Sequence, residues 1–84
     1  MQREDIPTRI STVLDRPVRW ATNVVGDYDG CERTLEVFNA GGPKEQREML
    51  RKIRPLRAEL ESVAGGPLIV IFRARDVESE RAPE

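Results

Sequence analysis

Met49, Ile53, Leu56, Leu60 and Val63 recur at spacings of four, three, four and three. That is the repeat of one face of an α-helix, sustained over about four turns. Any fold open to this chain must give that stripe an apolar surface to lie on. Pro43 suits the first turn of such a helix, where its missing N–H costs nothing, and Gly65-Gly66-Pro67 supplies a stop. Pro55 interrupts the stripe. It removes a backbone donor and crowds the carbonyl of Arg51, at about 3 kcal/mol in an unbroken helix. A kink or a break is therefore expected near Arg54, with both halves packed on one sheet.

Three segments offer strands for that sheet. Residues 68–72 read Leu-Ile-Val-Ile-Phe, a β-rich run in which both faces call for burial. Over 18–25, Val18, Trp20, Thr22 and Val24 alternate with Arg19, Ala21, Asn23 and Val25. Over 32–39, Arg33, Leu35 and Val37 alternate with Glu32, Thr34, Glu36 and Phe38. Between them lies Gly26-Asp27-Tyr28-Asp29-Gly30, dense in turn formers. Pairing Trp20 with Val37 and Thr22 with Leu35 closes a loop at 27–30. It also gathers Val18, Trp20, Val24, Leu35 and Val37 on one face. A slip of one residue would split that set. Phe38 is then left on the opposite face, beside Arg19.

A second, shorter stripe of Ile6, Ile10, Val13 and Leu14 predicts a helix over 6–15. Asp5 is its expected N-cap, Pro7 sits in its first turn, and Arg16-Pro17 ends it. The fold class expected is thus a small α+β sandwich of order α-β-β-α-β. A three-stranded antiparallel or mixed sheet is packed by one long kinked helix and a short N-terminal helix. This single domain covers residues 1–75. Residues 76–84, with four acids and one arginine, are expected as an acidic, frayed tail. The element order is shared with type II KH-like RNA-binding folds. The Gly-Gly pairs at 41–42 and 65–66 do not supply the G-x-x-G clamp of those domains.

Composition narrows the chemistry. The 84-residue chain has no histidine and one cysteine, Cys31. A disulfide within the chain and a cysteine zinc site are excluded. Cys31 as a nucleophile would have no imidazole base. Asp27, Asp29 and Glu32 cluster at the hairpin, but their spacing is not that of a calcium loop. No cofactor, no metal and no catalytic residue are therefore expected. The longest apolar run is too short to span a bilayer, and no apolar signal region follows the N-terminus. A cytoplasmic protein with no membrane partner is expected. Twelve arginines stand against two lysines, as in a GC-rich bacterial or phage genome.

Charge is uneven along the chain. The net charge is −1, yet residues 43–58 hold six bases and two acids, a local +4. Gly42, Lys44, Arg47, Arg51 and Arg54 are the candidate phosphate or nucleic-acid contacts, through a helix N-terminus and a basic stripe. The rival reading is a solvated helix face, with Glu45, Glu48 and Glu59 as local partners. Phe38, Ile69, Ile71 and Phe72 are the candidate interface, because one helix covers only one face of a small sheet. The leading expectation is a non-catalytic binding module acting by protein–protein association, as a homodimer or a small subunit. The alternatives are an accessory RNA- or DNA-binding domain, and a small enzyme or ligand sensor with a pocket formed between chains.

Overall fold

The structure is a computed structural model and describes residues 1–21 and 33–75. A short 3-10 turn, Arg3–Asp5, leads into α1, Ile6–Leu14. Then follow β1, Val18–Trp20, and β2, Thr34–Val37. Helix α2, Pro43–Ala64, and strand β3, Ile69–Phe72, complete the order. The α+β class and the three-stranded mixed sheet agree with the expectation. The hairpin turn at 26–30, the acidic cluster of Asp27, Asp29 and Glu32, Cys31, Val24, Val25 and the tail at 76–84 lie outside the described residues.

β2 is the central strand. It runs antiparallel to β1 and parallel to β3, which it reaches through α2. Val18 pairs with Val37 and Trp20 with Leu35. The expected register is therefore displaced by two residues. Because side chains alternate with a period of two, such a slip keeps every residue on its expected face. Val18, Trp20, Leu35, Val37, Val70 and Phe72 share one face, and Arg19, Thr34, Glu36, Ile69 and Ile71 share the other.

Both helices pack on the first face. Ile6, Ile10 and Leu14 of α1 meet Met49, Ile53 and Leu60 of α2 over Leu35 and Val37, and all are buried. Leu56 and Val63, from the expected stripe, are partly buried against this core. α2 runs through Pro55 without a break. Pro55 is exposed, so water can reach the carbonyl that loses its donor. Burial of Ile53 before it and Leu60 after it offsets the missing bond. Gly65 ends α2 with φ of 88°, a left-handed conformation that favours glycine, and its N–H donates to the Glu61 carbonyl at 2.9 Å.

Asp5 stands at the N-cap of α1, as expected, but its side chain makes no cap bond to that helix. Asp5 has helical backbone angles, and its carboxylate accepts the Gln2 N–H at 2.9 Å. The carboxylate closes the preceding 3-10 turn instead. The helix also ends one residue early. Asp15 turns left-handed, with φ of 59°, and donates its N–H to the Ser11 carbonyl.

Candidate interaction surface

The face of the sheet opposite α1 and α2 carries an ion triad that sequence pattern alone does not single out. Glu36 is 5% exposed. Arg19 Nε donates to its Oε1 at 3.0 Å, and Arg73 donates to its Oε2 through NH2 at 2.9 Å and Nε at 3.2 Å. Strand register explains the contact with Arg19, which lies directly across from Glu36. Arg73 reaches the same carboxylate because β3 pairs on the other side of β2. Burial alone raises the Glu36 pKa. The hydrogen bonds from Arg73 and Arg19, with their charges, outweigh burial and hold the carboxyl below its ordinary value. Alternation placed Glu36 opposite Leu35, but only the strand order brings Arg73 to it.

Phe38 lies under Arg19, whose guanidinium is 5.0 Å from the ring centroid. The side chain is fully buried, so it adds nothing to an exposed interface. Phe72 is half-buried and faces the helices, packed against the core. Ile69 and Ile71 are on the face opposite α1 and α2, where Ile69 is 46% exposed and Ile71 is half-buried. The four candidate interface residues are thus divided among a buried position, the helix side and the open side.

The start of β3 is held by a second side-chain pair. Arg57 Nε donates to Glu61 Oε2 at 3.1 Å, one turn along α2. The Leu68 N–H donates to the same oxygen at 2.9 Å, and Arg57 donates to the Leu68 carbonyl. Side chains of α2 therefore satisfy both backbone groups of Leu68, as a neighbouring strand would. The bond from Leu68, opposed by some desolvation and reinforced by Arg57, lowers the Glu61 pKa. The i,i+4 spacing of Arg57 and Glu61 was visible in the sequence, but their grip on Leu68 depends on tertiary placement.

The basic residues are arranged along one helix. Lys44, Arg47, Arg51 and Arg54 are all exposed on α2, and Arg51 pairs with Glu48 at 3.2 Å. At the N-terminus of this helix Gly42 donates its N–H to Glu45 Oε1 at 3.0 Å. The helix end thus carries a carboxylate of its own at Gly42. Gly41, with φ of 77°, needs its missing Cβ to enter this turn.

A shallow cleft of about 330 Å³ lies beside β1 and is lined by Thr8, Ser11, Thr12, Pro17, Val18, Arg19 and Phe38. Its polar groups are largely committed. Ser11 Oγ donates to the Arg16 carbonyl, Thr12 Oγ1 to the Thr8 carbonyl, and Arg19 to Glu36. Among the described residues no three potential metal ligands converge, and no helix is long and apolar enough to cross a membrane. No family model matches the chain, and neither a curated protein nor a solved structure matches it significantly.

Proposed function

We propose that this chain is a small non-catalytic module that works by protein–protein association, with a second copy of itself as the first partner. One observation carries the reading. β3 consists of four large apolar residues, yet none of them is buried. Its neighbour β2 is buried at all four positions. Both helices are spent on one face of the sheet, so neither is left to cover Ile69 and Ile71. An all-apolar strand at a sheet edge is a template for pairing with another chain. Association would also enlarge a core that is small for one domain.

Sedimentation of the full chain at micromolar concentration tests this. The expected species has twice the 9.6 kDa chain mass. A single species of 9.6 kDa across that range overturns the self-association reading.

A second reading rests on a separate observation, the exposed row of Lys44, Arg47, Arg51 and Arg54. Such a row suits a phosphate backbone, and binding through it would weaken steeply with salt. The triple change Arg47→Glu, Arg51→Glu and Arg54→Glu should abolish retention of the chain on RNA or DNA. Retention that ignores salt or survives that change would exclude this stripe as the contact.

A further inference from the structure

We infer that two copies pair antiparallel through β3, with the two-fold axis at Ile71. This inference rests on the self-association reading and specifies its geometry. Arg73 donates its N–H to the Val37 carbonyl at 2.8 Å, and its own carbonyl accepts from Ala40 at 3.0 Å. Backbone groups alternate sides along a strand. Ile69 and Ile71 therefore direct their N–H and C=O groups toward β2, with Arg73. Leu68, Val70 and Phe72 direct theirs outward. At Leu68 both outward groups are already taken by Glu61 and Arg57. The open edge thus presents two residues, Val70 and Phe72, each with one donor and one acceptor unpaired among the described residues.

That pattern is self-complementary in one register. Placing Val70 opposite Phe72 of the partner, and Phe72 opposite the partner's Val70, exchanges four hydrogen bonds and leaves no outward group unused. Centring the pair on Val70 instead would set Phe72 against a Leu68 whose groups are occupied. Centring it on Phe72 would set Val70 against residue 74, beyond the end of the strand. The blocked Leu68 therefore selects the register. In the selected register Ile71 faces its own copy across a non-hydrogen-bonded position, where Cα atoms approach to about 4.5 Å. Both isoleucines lie on the face opposite α1 and α2. The opposite edge is less suited. β1 is three residues long, follows Pro17 and carries Arg19, features that blunt an edge.

Amide exchange and cross-linking on the full chain test the register. In the unaltered protein, the Val70 and Phe72 amides should be protected at high concentration and lose that protection on dilution. The Leu68 amide should stay protected at both. In a Cys31→Ser background, Ile71→Cys should oxidise to a disulfide dimer, because its Cα separation suits the bond. Ile69→Cys should not, since the two copies of residue 69 would stand about 13 Å apart at about 3.3 Å per residue. Val70→Pro removes two of the four bonds without touching the ladder to β2, and should weaken association about tenfold or more. A dimer whose Val70 and Phe72 amides exchange freely, or which cross-links at residue 69 and not at 71, overturns the β3 register and leaves self-association standing. A chain that stays monomeric overturns both.

Discussion

β2 and β3 lie side by side, run parallel and have four residues each. Their compositions and their environments are exchanged. β2 includes Thr34 and Glu36 and is buried throughout, whereas β3 is wholly apolar yet exposed at Ile69 and only half-buried at its other three positions. Place in the sheet, not composition, sets exposure. β2 is flanked by strands on both sides and lies under both helices. Among the described residues β3 has a neighbour on one side and stands at the edge. The mismatch has a different consequence in each strand. A polar group in a central strand must find partners, and Glu36 holds two arginines. An apolar strand at an edge keeps surface that a further chain can cover.

The contrast is broken most severely by emptying the core on the β2 side. Leu35 and Leu60 are 1% and 0% exposed. Leu35→Ala or Leu60→Ala should cost about 2–5 kcal/mol, a large share of the stability of so small a domain. Leu56→Ala should cost less than Leu60→Ala, since Leu56 is half-buried. Urea titration of the three variants checks the ranking. Equal midpoints for Leu56→Ala and Leu60→Ala would overturn the ranking, and near-neutral midpoints for both would show that the helix face is assigned wrongly.

The next effect comes from Glu36. Replacing Arg19 and Arg73 together by alanine strands a carboxylate whose side chain is only 7% exposed. The expected loss is about 2–3 kcal/mol, limited because the glutamate can take up a proton. Acid should act on the same group in the unaltered chain. The Glu36 pKa in the folded state lies below its ordinary value of 4.5. The ionised triad therefore contributes its full share above that value, and the share is lost as pH falls from 4.5 through the lower folded pKa. Glu36→Gln should flatten that part of the stability profile. An unchanged acid limb in Glu36→Gln would show that the triad contributes no pH dependence.

How much of this was legible from residues depends on what each signal can encode. The α2 stripe was read correctly across Pro55, because packing on both sides of the proline outweighs one lost bond. The faces of β1 and β2 were also legible, but their register was not. A pattern of period two cannot detect a slip of two, and a loop closed at 27–30 gives Trp20 the wrong partner. Strand order left no local trace. For that reason the grip of Arg73 on Glu36 and of Arg57 and Glu61 on Leu68 could not be foreseen. The first joins residues 37 apart in sequence and the second residues only seven and eleven apart, but each depends on where β3 docks. Phe38 shows the converse error. Alternation gives its face and its neighbour Arg19, but not its burial, which depends on how the Arg19 side chain lies over the ring and on the α1 residues beside it.

The smallest effect on folding sharpens the comparison most. Ile69 is 46% exposed, on the face opposite α1 and α2. Ile69→Thr keeps a β-branched side chain on an edge strand and removes apolar surface of which the monomer leaves nearly half exposed. At concentrations where the chain is monomeric, its unfolding free energy should change by no more than about 0.5 kcal/mol. At higher concentration the two proteins should diverge. Association adds stability in proportion to the logarithm of concentration, and a surface weakened by threonine gains less from it. The unaltered chain should therefore melt at a temperature that rises with concentration, and the variant at one that rises less steeply. Identical slopes for both would mean that Ile69 stands outside the associating surface. A large loss in the dilute variant would mean that β3 is better packed within one chain than its exposure indicates.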